Sequence, residues 1–522
     1  MEKVIYGPSI YTMDGDDRVV EALGIEKGKI CSLGDKEQVL AESGANTEEL
    51  NLSAGSIFPG FNDAHLHLLD LGLYELFYLD LSQVSSKSEL LEKVQEKVDE
   101  TDPGQWILGS GWDESDWTGE QEPPRREELD QVTSDYPIAL QRVDMHTFSV
   151  NSPGIEEMDV TRTTKGARTE GGRFTGVFSE NASLKVKQAI ALDLESRVKA
   201  LKKSISNAHS KGVTAVSQMV VDPGEFARYF EAFQQLSREG QLDIRSLLYF
   251  TENYLDQVVD LGLETGFGSD RLRIGGLKLF ADGSIGSKTA WVREPYSGDP
   301  DNRGMSIWEK EDLLKLVKKA DRNGIQLAIH TIGDRALDQV LECLQQTLAV
   351  QDCSSLRHRI EHCELARRDQ IEQMSELGLI ASMQPNYVGK WGLPGSMYEG
   401  RLGRAKLPEL NQFKVFQEKG VDLAFGSDGM PFDPLFGIHW AVNAPFDSQK
   451  LSPTSALRAY TGGGAFVEGV EQKIGSIEPG KYADLVVLDG DPIQEPGSIK
   501  DLKVMMTIFN GEVVYKNETT NF

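Results

Sequence analysis

The middle of the chain repeats one pattern: apolar residues at helical spacing, then a glycine, then a short apolar run. Val198, Leu201, Ile205 and Ala208 precede Gly212 and VTAVSQM, and Leu313, Leu316, Val317 and Ala320 precede Gly324 and IQLAIH. Ile371, Met374 and Leu377 precede Gly378 and LIASMQ, and Phe413 and Phe416 precede Gly420 and VDLAFGSD. Spacing of three to four marks one face of a helix, and a glycine just beyond supplies the left-handed residue that closes it. An apolar run without alternation suits a parallel strand covered on both faces. Such units predict an α/β fold, either a barrel or a doubly wound sheet. Four more runs, IFPGFNDAHLH, DIRSLLYF, LRIGGLKLF and LRHRIEHCE, bring the strands to the eight that a (β/α)8 TIM barrel needs.

The two ends read differently. The first ~55 residues alternate short apolar runs with turn signals at Asp14-Gly15, Lys27-Gly28-Lys29 and Gly34-Asp35, where hairpins would turn. KYADLVVLDGD, VMMTIFNG and EVVYKN give the C-terminus the same character. Both termini are expected to meet in one small β-sandwich domain. About 145 residues separate the first barrel strand from the second. That stretch has its own helix start, Ser86-x-x-Glu89 with Leu90, Val94 and Val98 behind it, and a strand in YPIALQRVD. The expected boundaries are 1–57 for the first sandwich segment and 58–445 for the barrel, with an insertion subdomain at about 75–200, and 446–522 for the end of the barrel region and the C-terminal part of the sandwich.

Charge narrows the partners. Among 522 residues, 82 acidic and 54 basic side chains leave a formal charge of −28. Binding phosphates takes lysine and arginine clusters, so nucleic acid and anionic membranes are excluded as partners, and a small-molecule substrate remains. Cys31, Cys343, Cys353 and Cys363 are too few and scattered for a disulfide framework. The N-terminus lacks the apolar core of a signal peptide, and no run of about 18 apolar residues marks a membrane span. A cytoplasmic protein is expected.

The eight histidines matter more for where they fall. His65 and His67 are two apart on an extended segment, so both imidazoles reach the same side. His330 ends IQLAIH, His362 lies in RIEHCE, and Asp428 ends AFGSD. Neutral imidazoles with a carboxylate suit Zn²⁺, with Mn²⁺ and Fe²⁺ as alternatives. Each signal alone is bland: a lone histidine at a strand end usually satisfies a polar contact, and Asp after Gly-Ser usually caps a turn. Their conjunction at the C-terminal ends of barrel strands is what indicates a metal site. His209 reads as structural, His358 as surface or supporting, His439 as packing, and His146 as a residue that faces the pocket or the solvent. The Gly462-Gly463-Gly464 run lacks the Lys-Ser/Thr of a phosphate loop and reads as a loop or the start of a helix.

In their order along the chain, FPGFNDAHLH, GWDESDW, GLKLFADGSIGSKTAW, LAIHTIGDRAL, RIEHCEL, SMQPNY, AFGSDGMP and IGSIEPGKYADLVVLD resemble the amidohydrolase superfamily, most closely its YtcJ-like branch of metal-dependent hydrolases. The resemblance implies His65, His67, His330, His362 and Asp428 as metal ligands, on one or two ions. It implies Lys278 as the bridging lysine, carboxylated by CO₂; the ordinary alternative is a Lys278–Asp282 pair four residues apart. It implies hydrolysis of a C–N, amide-like bond by a metal-activated hydroxide, with His330 and Asp428 catalytic and Asp428 shuttling the proton. The insertion is expected to act as a lid in which Trp112, Asp113, Trp117, Arg142, Asp144 and His146 contact substrate, joined by Gln384 and Asn386 after strand seven. A homodimer is in keeping with the family. The alternatives are a deaminase of the same superfamily and a non-catalytic metal-binding homologue.

Overall fold

The computed structural model describes residues 1–52, 55–102, 104–144, 146–190, 192–222, 224–348 and 354–517. The chain divides into two compact units, Met1–Leu68 with Lys202–Phe522, and Leu69–Leu201.

The larger unit holds the barrel. Its strands are Phe61–Leu66, Val213–Met219, Arg245–Thr251, Leu272–Phe280, Gln326–Thr331, Arg359–His362, Ile380–Met383 and Leu423–Phe425. Each of the eight predicted runs contributes one of them, and neighbours pair in parallel from first to eighth. The four predicted helices precede their strands as Leu194–Ser210, Lys310–Arg322, Arg368–Glu376 and Phe413–Glu418. Gly212, Gly324, Gly378 and Gly420 close them with φ of +77°, +69°, +64° and +76°. At Gly212 space matters as well, because a Cβ would lie 2.5 Å from Val486.

Closure between the first and eighth strands runs through their C-terminal ends. The Asp428 N–H donates to the His65 carbonyl at 2.8 Å. The Asp63 carboxylate accepts from the Ser427 N–H at 3.0 Å and its hydroxyl at 2.6 Å.

The termini build a second sheet in the same unit. Lys3–Tyr11, Val19–Glu26, Lys29–Gly34, Glu48–Asn51 and Ser56–Pro59 join Leu485–Leu488, Val504–Phe509 and Glu512–Lys516 in one eight-stranded mixed sheet. Ile5, Leu23, Ile57, Leu485, Val487 and Ile508 share its core, so each terminal segment supplies part of the apolar area the other needs. Lys27-Gly28 turns the predicted hairpin with φ of +52° and +73°. Gly34-Asp35 does not turn a hairpin, because Asp35 instead precedes the helix Lys36–Ala41. The triple glycine starts the helix Gly462–Val467, where a Cβ on Gly463 would lie 2.2 Å from the Leu423 carbonyl.

The barrel and this sheet share one buried ion pair. Arg245, on the third barrel strand, donates to both Asp484 oxygens at 2.6 and 3.1 Å, and its guanidinium lies 3.9 Å over the Tyr482 ring.

The smaller unit carries a six-stranded sheet in the order Ala167–Glu170, Arg173–Phe178, Phe148–Val150, Ile138–Arg142, Ile107–Trp112, Tyr78–Asp80. The predicted capping residue Ser86 accepts from the Glu89 N–H and opens the helix Lys87–Asp99, while Glu89 reaches back to the Ser85 N–H. Among the described residues Cys31, Cys343 and Cys363 are free, and Cys353 lies outside them. Among the same residues no helix is long and apolar enough to cross a membrane.

Arg245→Ala is expected to destabilise the protein by about 3–5 kcal/mol, because it leaves the Asp484 carboxylate buried without its partner. Arg245→Ala/Asp484→Ala should lose less than the sum of the single losses, as read from denaturant and thermal unfolding.

Candidate metal centre

Strand alternation points Arg359 and Glu361 into the barrel, and both are fully buried. Arg359 Nε donates to Glu361 Oε1 at 2.5 Å and Nη2 to Oε2 at 2.9 Å. Glu361 Oε2 in turn lies 2.5 Å from His65 Nδ1. Burial opposes ionisation of Glu361, but the Arg359 guanidinium outweighs it and holds the carboxyl well below its ordinary value. An ionised Glu361 accepts the Nδ1–H of His65, so the Nε2 lone pair faces the barrel mouth. His67 is fixed in the same way, its Nδ1 lying 2.8 Å from the Met219 carbonyl.

The other groups meet these two imidazoles. His65 Nε2 lies 3.5 Å from Lys278 Nζ and 3.7 Å from Asp428 Oδ1, and His67 Nε2 lies 2.9 Å from the same Asp428 oxygen. Ring centroids of His362 lie 4.9 Å from His65 and 4.4 Å from His330. The structure thus brings together all six residues marked in the sequence: His65, His67, Lys278, His330, His362 and Asp428. His65, His362 and Asp428 each offer one ligand atom within 4.8 Å of the others.

Strict alternation would send His362 away from the centre that Glu361 faces. The backbone departs from it there, with φ of +71° at His362 and +52° at Cys363, and Asp428 likewise has φ of +52°. Left-handed backbone at residues other than glycine costs energy and persists where surrounding structure enforces it.

A divalent cation fits this donor set. His67 Nε2 and Asp428 Oδ1 lie 2.9 Å apart, and an imidazole nitrogen and a carboxylate oxygen are both donors that suit a divalent cation. His362 Nδ1 is buried without a hydrogen-bond partner. Burial, reinforced by Lys278, pushes His65 down to about 4 and His330 down to about 3, and burial holds His362 well below its ordinary value. Neutral imidazole is the form that binds metal. Burial opposes ionisation of Asp428, but His65, His67 and His362 outweigh it and keep the carboxyl well below its usual range. Burial lowers Lys278 to about 8 against the pull of Glu361 and Asp428.

Asp282 does not pair with Lys278. Its carboxylate accepts from the backbone N–H of Trp291, Ile332 and Gly333 at 2.8, 3.0 and 2.7 Å. Beside it His330 Nε2 lies 3.1 Å from the Gly283 carbonyl, which leaves Nδ1 as the nitrogen available to the centre.

Gln384 is buried with neither side-chain polar atom hydrogen-bonded. Asn386 bridges the Pro431 carbonyl and the Tyr460 hydroxyl. In the smaller unit Trp112 and Trp117 pack into its core, their centroids 5.9 Å apart. Arg142 bonds Asp113, Glu114 and Asp144 at 2.6, 2.8 and 3.4 Å, and His146 is exposed. His209 and His439 are buried structural residues. His358 is buried rather than on the surface, held by the Leu327 N–H and Asp321. Arg359, Glu361 and Tyr387 are additions to the site. The signal for the first two was two opposite charges at strand alternation inside an apolar run.

An eight-stranded parallel barrel with imidazoles, a lysine and an aspartate at its C-terminal mouth defines a metal-dependent hydrolase. The sequence profile of the amidohydrolase family matches residues 48–515, and the chain belongs to that family. It is 30% identical to YtcJ of Bacillus subtilis (strain 168) over 545 residues, which takes in 99% of this chain and 100% of that one. It is 26% identical over 542 residues to the N-substituted formamide deformylase of Arthrobacter pascens, covering 98% of both. Among solved structures, an uncharacterized metal-dependent hydrolase from Pyrococcus furiosus superposes with a TM-score of 0.80 at 30% identity, covering 94% of this chain and 99% of the other. Nothing in these similarities favours a deaminase or a non-catalytic homologue.

Glu361→Gln is expected to weaken retention of a divalent cation about 10–100-fold, because it removes the charge that fixes the His65 tautomer. Competition with a chromophoric chelator measures it.

Proposed function

We propose that the protein hydrolyses the C–N bond of an N-acyl or N-formyl amine, using a zinc centre held by His65, His67, His330, His362 and Asp428. The observation that carries this reading is the convergence on Asp428 Oδ1 of His67 Nε2 at 2.9 Å and His65 Nε2 at 3.7 Å, with Lys278 Nζ 3.5 Å from the latter. The bound cation supplies Lewis acidity, polarising the substrate carbonyl and bringing the pKa of water toward ~7. Asp428 accepts the proton of the attacking water and returns it to the leaving nitrogen, which departs as a neutral amine. His330 stands beside His362, where it ligates or polarises the carbonyl. Gln384, buried with both amide atoms unpartnered, is positioned in sequence just after strand seven to bind a substrate amide.

Lys278 adds CO₂ through its neutral amine and loses a proton, so that a carbamate replaces the cation. Burial that lowers the ammonium to about 8 supplies neutral amine at neutral pH. The product is an anion with two oxygens, which removes the repulsion Lys278 would exert on metal and suits a second ion. The substrate class draws on the relative named as an N-substituted formamide deformylase.

Purified protein loaded with Zn²⁺ or Mn²⁺ should hydrolyse members of a panel of formanilides, acetanilides, lactams, carbamates and esters, and release no ammonia from aminopurines or cytosine. Ammonia release without deacylation would reverse the reading. Asp428→Asn should lower kcat by about 10²–10⁴-fold while metal stays bound. Lys278→Ala should lose activity and metal and regain both with short carboxylic acids. Full activity and metal content without such rescue would remove the carbamate.

A further inference from the structure

We propose that Tyr387 is a positioning residue for this reaction: it holds one oxygen of the Asp428 carboxylate so that only the other meets the imidazoles and the attacking water. The inference rests on the reading of Asp428 as proton acceptor.

The Asp428 main chain is fixed by the bond from its N–H to the His65 carbonyl at 2.8 Å. Its carboxylate is not fixed by the backbone, because rotation about an sp³–sp² bond has broad minima and exchanges the two oxygens. Oδ1 lies among the imidazoles, 2.9 Å from His67 Nε2 and 3.7 Å from His65 Nε2. Oδ2 accepts from the Tyr387 hydroxyl. With Oδ2 engaged by a phenolic O–H, the two oxygens are no longer equivalent, and the proton from water goes to Oδ1.

Tyr387 is itself held in place. It is 5% exposed, its ring lies within 8° of parallel to His362 at 6.1 Å, and the Trp391 ring lies 4.8 Å away. Its helix, Asn386–Trp391, starts where strand seven ends and is tied to the segment that follows strand eight. Asn386 Nδ2 donates to the Pro431 carbonyl at 2.6 Å, and its Oδ1 accepts from the Tyr460 hydroxyl at 2.9 Å. Gly389 allows the helix to approach the neighbouring Pro434–Val442 closely, since a Cβ there would lie 2.0 Å from Trp440 Nε1. The segment after strand eight carries Asp428 and also clamps the helix that carries Tyr387. One residue therefore links strand-six and strand-eight ligands through a ring contact and a hydrogen bond.

The test is Tyr387→Phe, which keeps the ring and removes the hydroxyl. On the amide of the panel that turns over fastest, kcat should fall about 10–100-fold, with KM within about threefold and bound metal unchanged. A second measurement needs neither substrate nor metal. In the metal-free protein, the Tm losses of Tyr387→Phe and Asp428→Ala should be non-additive, the double variant losing about as much as the larger single loss. An unchanged kcat at full metal content, or additive Tm losses, would overturn the proposal. If Asp428→Asn stays active while the Tm losses remain coupled, the contact stands and the role of Asp428 as proton acceptor fails instead.

Discussion

One guanidinium holds the middle of the barrel. Arg359, on the sixth strand, is fully buried and bonds Ala64 of the first strand, Ser217 of the second, Tyr249 of the third, Glu361 of the sixth and Ser382 of the seventh. A buried charge is costly unless paired and hydrogen-bonded, and here planar fork geometry lets several donors find acceptors at once. The same charge keeps Glu361 ionised, Glu361 sets the tautomer of His65, and His65 presents Nε2 to the barrel mouth. Core packing and metal chemistry are therefore one hydrogen-bonded chain.

Closure of the barrel uses residues of the candidate metal centre. The first strand brings Asp63 and His65, with His67 just past its end; the loop after the eighth brings Ser427 and Asp428. The bonds between Asp63 and Ser427, and between the His65 carbonyl and the Asp428 N–H, join the two ends of the sheet beside the candidate ligands. Departures from regular strand geometry gather at the same place, at His362, Cys363 and Asp428. Left-handed backbone at these positions is stabilised by the closed barrel around it and re-aims side chains that alternation would misdirect.

Much of this was legible in the chain. Helix faces ending in glycine and unbroken apolar runs marked all eight barrel strands, because period and chain reversal are local properties. His65, His67, His330, His362 and Asp428 stood out as candidates because each falls at or just past the end of such a run, whereas Lys278, inside its run, was marked only by the family resemblance. Gly34-Asp35 was misread because turn residues also cap helices, and only the chain that follows distinguishes the two. Sequence left His358 open between surface and supporting, because polarity alone does not reveal a buried Asp321 or a backbone N–H beside it. Tyr387 carries no local signal: a tyrosine on a short helix looks like packing until the strand-eight loop is folded beside it.

By itself, the sequence determined the class of the fold and the kinds of ligand. Hydrophobic period, glycine placement and the spacing of histidines are written in the order of residues and act over a few positions. The tertiary structure alone decided which imidazole nitrogen faces inward, which oxygen of Asp428 is engaged, and that Asp282 serves backbone N–H groups instead of Lys278. Those choices depend on partners from other elements, such as Glu361 for His65, 296 residues away, which become neighbours only when the first and sixth strands enter the same barrel.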